Sequence, residues 1–375
     1  MSFQNKKKCL FLLIGLIFMF ALVACAGEEP VEDNDGQVSE APEISEEQTD
    51  GNEGFIGISM PSMSLERWER DGRQIESELQ NLGFNTTLQF ADDDVATQIS
   101  QIENMITQGV DVLVIAPIDG ETLTGVLETA NQSGIYVLAY DRLIMNSPHI
   151  SYYVTFDNFL VGVTQGQFIV DELGLEENEG PFNIELFAGA PDDNNARLFN
   201  AGAMSVLQDF IDDGTLVVQS GQEEFTQIAI VGWSTSGATD RMDNLLSLAT
   251  DEIHAVLSPN DSLALGIVAS FQNLGIDVPI VTGQDADLTN VLNILAGYQS
   301  MTVFKDTRIL ATAAANMVET ILLGGTVVVN DTETYDNNVL VVPTYLVGIV
   351  TVTADNVEEQ LVESGFYSAE ELGLD

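Results

Sequence analysis

Residues 110–142 read VDVLVIAPIDGETLTGVLETANQSGIYVLAYDR, and this segment gives the clearest indication of the fold class. It contains an apolar run at Val112–Ala116, an amphipathic stretch at Leu123–Ser133 that ends at Gly134, and a second apolar run at Tyr136–Tyr140. Helices favour glycine directly after their last turn, and short apolar runs bounded by turn residues are typical of buried strands. The segment therefore predicts a strand, a helix and a second strand parallel to the first.

The same alternation extends along most of the chain. Alternating strands and helices with short connections predict parallel sheets that are covered by helices on both faces. About ten strands are too many for one open sheet of ordinary size. We therefore predict an α/β chain with two doubly wound parallel-sheet lobes. The other apolar runs are Phe55–Met60, Thr87–Ala91, Tyr152–Phe156, Asn183–Gly189, Leu216–Ser220, Ala255–Ser258, Ile280–Gly283 and Met301–Lys305.

The amino terminus has the pattern of a secretory signal. Three lysines at Lys6–Lys8 precede an almost unbroken apolar run at Leu10–Val23, and small residues flank Cys25. A basic start, an apolar run and a small-residue cleavage site predict a signal peptide over residues 1–24. The segment resembles a bacterial lipobox, which implies that Cys25 carries a lipid. We expect an extracytoplasmic protein that is anchored to the cell membrane through this residue.

Residues 25–53 are predicted to form a disordered acidic tether behind that lipid anchor. They are rich in Glu, Asp, Ser, Gln and Pro, and this composition buries too little apolar surface to fold. The chain has two cysteines, and Cys9 lies within the predicted signal peptide. A disulfide framework in the mature protein is therefore excluded.

The chain is strongly acidic, with 59 Asp and Glu residues against 11 Lys and Arg residues and a net charge of −48. Such a surface repels nucleic acid, because nucleic-acid binding requires cations that neutralise phosphates. Basic residues are so scarce that each position is informative. Arg70 and Arg73 are expected to be solvated helix charges, and Arg241 and Arg308 to be structural, as hinge or interface groups. The cations that follow the signal are Arg67, Arg70, Arg73, Arg142, Arg197, Arg241, Lys305 and Arg308.

Polar groups follow many of the predicted strands directly. Ligands of doubly wound sheets bind at the carboxyl ends of strands, so these groups are candidates for a shared site. Carboxylates accept pairs of hydrogen bonds from neighbouring hydroxyls, and guanidinium, ammonium and amide groups donate to hydroxyl oxygens. For any single residue, helix capping is the alternative, and Lys305 could instead pair with Asp306. The strand-end candidates are Asp141, Arg142, Asn195, Asn260, Asp285 and Lys305; Arg67 and Arg197 are strand-end cations, and Trp68 and Trp233 are the two tryptophans.

At these residues the chain resembles the monosaccharide-binding proteins of bacterial sugar ABC transporters, within their xylose-binding and multiple-sugar-binding branch. The resemblance extends from about Phe55 to Val352 and rests on several stretches together. These are Leu65–Trp68, Tyr140–Leu143, Gly189–Arg197, Pro259–Asp261, Gly283–Asp287 and Met301–Arg308.

The resemblance implies a type I periplasmic-binding fold, in which three crossovers join two lobes and a sugar binds in the cleft. The implied lobes are residues 54–157 with about 287–334, and residues 158–286 with about 335–375. The implied hinge segments are Phe156–Asn158, Gln284–Ala286 and Tyr335–Leu340. The family often has an aromatic residue just after the first strand, where this chain has Pro61 and Ser62. The implied ligand-binding residues are Arg67, Trp68, Asp141 and Arg142 from the first lobe, Asn194, Asn195, Arg197, Trp233, Asn260 and Asp285 from the second, and Lys305 after the second crossover.

The implied function is capture of a monosaccharide, an aldopentose or aldohexose, and its delivery to the membrane permease of an ABC transporter. The alternative is a sugar sensor that presents its ligand to a chemoreceptor or sensor kinase. We expect a monomer with no cofactor and no metal. An enzyme is not expected, because His149 and His254 belong to no catalytic motif and Asp192–Asp193 suit a helix cap. A transcription regulator would need a basic DNA-binding segment at its amino end.

Overall fold

The structure is a computed structural model that describes residues 54–63, 65–178 and 180–374. The predicted signal peptide over residues 1–24, the lipid site at Cys25 and the tether over residues 25–53 lie outside these ranges. Within them, no helix combines the length and the apolar character that a membrane span requires.

The elements alternate as predicted. The strands are β1 (Phe55–Met60), β2 (Asn85–Phe90), β3 (Val112–Ile115), β4 (Tyr136–Tyr140), β5 (Tyr152–Phe156), β6 (Phe182–Leu186), β7 (Leu216–Val218), β8 (Ala255–Leu257), β9 (Ile280–Val281), β10 (Thr302–Phe304), β11 (Thr344–Val347) and β12 (Val350–Val352). The α-helices are α1 (Glu66–Asn81), α2 (Val95–Gln108), α3 (Thr124–Gln132), α4 (Asn158–Leu173), α5 (Asn194–Asp212), α6 (Phe225–Ile228), α7 (Thr235–Leu248), α8 (Asp261–Leu274), α9 (Leu288–Leu295), α10 (Thr307–Leu322) and α11 (Ala369–Leu372). A short 3₁₀ turn at Val231–Trp233 and a π-helical turn at Glu358–Val362 complete the set.

The first lobe contains a parallel six-stranded sheet in the order β11-β5-β4-β3-β1-β2. One face packs against α1 and α10 around Ile56, Ile58 and Leu310, and the other packs against α2 and α3 around Leu113 and Leu127. Because both faces are covered, the central strands are apolar along their whole length, as in β3, where all four residues are buried.

The second lobe contains a parallel four-stranded sheet in the order β7-β6-β8-β9, with β10 and β12 forming a separate antiparallel pair. Helices α4 and α5 cross with their backbones in contact. A methyl group on Gly162 would overlap the carbonyl oxygen of Phe199, and one on Gly202 would overlap that of Phe159. Glycine is therefore required for this approach, which fixes the amino-terminal end of α5 beside the first crossing between lobes.

The chain crosses between the lobes after β5, after β10 and after β11. The predicted α/β fold with two doubly wound parallel-sheet lobes and three crossovers is confirmed, and Phe156–Asn158 coincides with the first crossing. Two of the predicted lobe boundaries differ from those that helix packing and strand pairing show. Helix α9 buries Val291 and Ile294 against the carboxyl-terminal segment of the second lobe, whereas β11 pairs with β5 of the first.

Residues 288–304 therefore belong to the second lobe, and residues 307–347 to the first. The proposed hinges at Gln284–Ala286 and Tyr335–Leu340 lie inside lobes instead of between them: Ala286 is in the core around Val291, and Tyr335 packs against Tyr153. The apolar face of a helix indicates that it is buried, but not which lobe covers it. Local sequence patterns could not have located these two crossings.

Candidate functional site

The carboxyl ends of the strands of both sheets enclose one crevice between the lobes. With its side chains in mutual contact, the crevice has a cavity volume of about 30 Å³, room for no more than about two water molecules, so a larger ligand can enter only when these side chains separate. Nine of the eleven predicted side chains line it, and they come from both lobes. These are Arg67, Trp68, Asp141, Arg142, Asn195, Trp233, Asn260, Asp285 and Lys305, together with Leu65, Asp193, Phe199 and Gln284.

Asn194 and Arg197 do not line the crevice. They line a separate groove at its rim, beside Asp192 and the first-lobe residue Asp119. The reason is helical geometry, because residues one and two positions from Asn195 on α5 point to other sides of the helix. Neither side chain is thus part of the crevice lining, and their assignment as ligand-binding residues stays a prediction.

Arg67 is the centre of the charged network in the crevice. Its Nη2 atom donates to Asp71 Oδ2 at 2.9 Å and to Asp141 Oδ1 at 2.8 Å, and its Nη1 atom donates to Asp285 Oδ1 at 3.2 Å. Asp141 belongs to the first lobe and Asp285 to the second, so this guanidinium joins both halves. Burial alone would raise the pKa of Asp141, but Arg67, Lys305 and Arg142 outweigh it and hold that pKa below its usual value.

Lys305 is buried against the same carboxylates. Its Nζ lies 3.2 Å from Asp285 Oδ1 and 3.9 Å from Asp141 Oδ1, and the side chain is 1% exposed. The alternative pairing with Asp306 is not adopted, because Arg308 holds that carboxylate with two hydrogen bonds of 2.9 and 2.7 Å. A buried ammonium needs such partners, and here the partners are crevice residues.

A second ion pair joins the lobes on the other side of the crevice. Arg142 Nε lies 2.9 Å from Asp193 Oδ2, and Arg142 Nη1 donates to the carbonyl oxygen of Pro117 at 3.1 Å. Asp193 also accepts from the Asn195 amide, so it caps α5 as predicted, and from Trp233 Nε1 at 3.3 Å. Capping and participation in the crevice are thus compatible roles for one side chain.

The two tryptophans have different surroundings. Trp68 has the guanidinium carbons of Arg67 and Arg142 at 4.6 and 5.0 Å from its ring centre, so it stabilises cations. Its Nε1 is buried and has no hydrogen-bond partner among the described residues. Trp233 packs flat on Gly189, where any side chain would overlap the indole, and edge-on to Phe199.

Several site residues have left-handed backbone conformations, with φ of 58° at Asp141, 55° at Trp233 and 100° at Asp285. Such conformations cost free energy in non-glycine residues and persist only where the surroundings enforce them. At Asp141 the enforcing contacts are hydrogen bonds to its carbonyl oxygen from Thr155 Oγ1 and Asn195 Nδ2, both at 2.8 Å. The backbone is therefore held so that these side chains point into the crevice.

Sequence reasoning missed three polar contributors. Asp193 was interpreted as a cap, Gln284 stood in a noted strand-end group without being singled out, and Asp71 was not considered. Asp71 is fully buried behind Arg67, and the signal that could have revealed it is its position four residues after Arg67, one helical turn along α1.

The crevice suits a neutral ligand with many hydroxyl groups. Its lining contains the carboxylates Asp141, Asp193 and Asp285 and three cations, so its charges nearly balance while donors and acceptors alternate. In the described ranges, no group of three or more His, Cys, Asp or Glu side chains is arranged to hold a metal ion.

Comparison with known proteins agrees with this geometry. A profile described as the periplasmic binding protein domain matches residues 56–326. The multiple sugar-binding periplasmic receptor ChvE of Rhizobium radiobacter is 51% identical over 86% of this chain and 93% of its own. The D-xylose-binding periplasmic protein of Escherichia coli is 37% identical over 84% of this chain and 92% of its own.

A solved solute-binding protein of an ABC transporter from Clostridium phytofermentans, with bound β-D-glucose, has a TM-score of 0.83 and 48% identity. It covers 85% of this chain and 99% of its own. These proteins are named as binding proteins, which confirms that the chain is not an enzyme. The chain therefore belongs to the periplasmic binding protein domain family, among its extracytoplasmic sugar-binding members.

Proposed function

We propose that the crevice binds one monosaccharide, an aldopentose or aldohexose, and that the protein delivers it to the membrane permease of an ABC transporter. The observation that carries the proposal is the convergence of nine of the predicted side chains, drawn from positions 67 to 305, on one crevice between two lobes. The relatives named for several sugars and for xylose, and the neighbour with bound glucose, support the same ligand class.

The charged pairs of the crevice define how a sugar would be held. Asp141 and Asp285 can each accept hydrogen bonds from two neighbouring hydroxyl groups, and Arg67 and Lys305 can donate to ring and hydroxyl oxygens. A sugar entering here separates Arg67 from Asp285 and inserts its hydroxyls between them. Each ion then keeps a polar partner, so the charges stay compensated during binding.

Closure of the lobes follows from the division of the site. Asp141 and Arg142 lie on one lobe, and Asn260 and Asp285 lie on the other, so the open protein presents half of the hydrogen-bonding groups on each side. A sugar completes its contacts only when both lobes enclose it. It therefore shifts the equilibrium toward the closed form, and we propose that the permease recognises this form.

The proposed cellular setting is extracytoplasmic, on the periplasmic side or the outer face of the cell membrane, with a monomer anchored through a lipid on Cys25 after removal of residues 1–24. Delivery to a chemoreceptor or sensor kinase is the alternative use of the same closed form. Reconstitution with the permease in vesicles distinguishes transport from sensing. Sugar uptake that depends on this protein supports transport, whereas the absence of such uptake favours the sensor.

Calorimetry of the mature protein against D-glucose, D-galactose, D-xylose and L-arabinose tests the ligand class. We expect binding of at least one sugar at a ratio of one to one, without turnover. Asp285→Asn should abolish it, and Asn is chosen because it tolerates the positive φ at this position. Asp243→Asn, an exposed carboxylate on α7, is the matched control. Binding that survives Asp285→Asn unchanged contradicts the proposal.

A further inference from the structure

The carboxyl-terminal segment of the second lobe contacts the first lobe through Phe366. The guanidinium carbon of Arg70, on α1, lies 4.6 Å from the centre of the Phe366 ring, and that of Arg308, on α10, lies 5.2 Å from it. Within its own lobe the ring packs edge-on to Phe304 and Tyr367 at 4.7 and 4.8 Å. Phe366 is thus fixed in the second lobe, while two cations of the first lobe lie over its ring.

Polar contacts reinforce this junction. Arg308 Nη1 donates to the carbonyl oxygen of Ser364 at 3.1 Å, and Arg70 Nη1 donates to the Tyr367 hydroxyl at 3.3 Å. That hydroxyl donates to the carbonyl oxygen of Ala286 at 2.9 Å. We call Arg70, Arg308 and Phe366 the Phe366 clasp.

The Phe366 clasp is separate from the ligand crevice. None of its three residues is among those lining the crevice, so a bound sugar would not touch them. Arg70 and Arg308 nevertheless represent two of the eight cations that follow the signal in a chain of charge −48. Two acidic lobes repel each other when they approach, and cations placed at their junction oppose that repulsion.

We propose that the Phe366 clasp sets the sugar affinity of the protein by stabilising the closed arrangement of the lobes. Apparent affinity is the affinity of the closed form multiplied by the fraction of protein that is closed. A contact made only between closed lobes therefore raises affinity without touching the sugar. This inference rests on the proposed sugar-binding function.

Variants at Phe366 test the proposal. Phe366→Leu keeps most of the apolar area but removes the ring face that attracts the cations, whereas Phe366→Tyr keeps that face. Losing two cation–π contacts should weaken binding of the best sugar among D-glucose, D-galactose, D-xylose and L-arabinose by about 5- to 30-fold. Phe366→Tyr should bind as the wild type does. Calorimetry measures the affinity, and X-ray scattering of the sugar-free protein measures its radius of gyration.

Arg70→Gln provides a second test that leaves the core around Phe304 intact, and it should weaken binding in the same direction by about 2- to 5-fold. Its matched control is Arg73→Gln, an exposed cation of the same helix whose ion pair among the described residues is with Glu69. If the closed form already predominates in the sugar-free wild type, the variants should lose less affinity than these figures. In that case the sugar-free Phe366→Leu variant should have a larger radius of gyration than the sugar-free wild type.

The outcomes distinguish the two proposals. A wild-type protein that binds none of the four sugars overturns the proposed function and this inference with it. A wild-type protein that binds, together with Phe366→Leu and Arg70→Gln variants whose affinity and radius of gyration both match it, overturns the Phe366 clasp alone. An equal loss of affinity in Arg73→Gln also overturns it, because the effect would then reflect general surface charge.

Discussion

Replacing Lys305 by Met removes one buried charge while keeping a flexible side chain of similar length. Lys305 lies 3.2 Å from Asp285 and 3.9 Å from Asp141, and it is 1% exposed. Removing one partner of a buried ion pair typically costs about 3–5 kcal/mol. Because Arg67 still contacts both carboxylates, we expect a loss at the lower end of this range. The free energy of unfolding should fall by about 3 kcal/mol.

The same change should weaken sugar binding. A hydrogen bond from a charged donor is worth about 1.5–3 kcal/mol, so losing the ammonium lowers affinity by about 10- to 150-fold. Urea denaturation of the sugar-free protein gives the first quantity, and calorimetry with the best-binding aldose gives the second. Arg73→Met, which removes an exposed cation from α1, is the control and should change both quantities little.

Two results would contradict this reasoning. Unchanged sugar affinity in a folded Lys305→Met protein would mean that Lys305 balances buried charge without binding the ligand. A stability equal to or above that of the wild type would mean that Arg67 alone compensates Asp141 and Asp285, and that the apolar replacement packs as well as the ammonium.

Three further predictions concern residues around the site. Asp71→Asn should lower sugar affinity about 5- to 10-fold, measured by calorimetry with melting temperature as the folding control, because Arg67 loses its charged support. Gly202→Ala should reduce the free energy of unfolding by about 1–3 kcal/mol through overlap with the Phe159 carbonyl, whereas Gly125→Ala, which faces open space on α3, should not reduce it. Burial, followed by Asp285 and Glu66, raises the pKa of Asp287 to about 7. The native state therefore keeps a proton that the unfolded chain releases, so the free energy of unfolding should fall between about pH 4 and 7, and Asp287→Asn should flatten this slope in urea titrations.

The sequence was sufficient to predict the fold class because the relevant signals are local. The run at Val112–Ala116 is apolar throughout since both faces of β3 are covered, and Gly134 follows α3 in a left-handed conformation. The carboxyl ends of parallel strands meet at one edge, so strand-end residues such as Asp141 and Asp285 could be placed in one site without knowing any distance.

What could not be predicted depends on contacts between residues distant in sequence. The lobe that receives α9 is decided by packing of Val291 against Val352 and Leu361, far along the chain. Similarly, the role of Arg70, which was expected to be a solvated charge, depends on the return of Phe366 to the first lobe. Composition and periodicity contain no information on such pairings.

A crystal structure of the mature protein grown with its best-binding aldose would locate the ligand. Electron density for a single sugar ring, within hydrogen-bonding distance of Asp141, Asn260, Asp285 and Lys305, is the predicted result. A sugar bound elsewhere on the molecule, with these four side chains keeping the contacts that they make in the sugar-free protein, would contradict the assignment of the crevice.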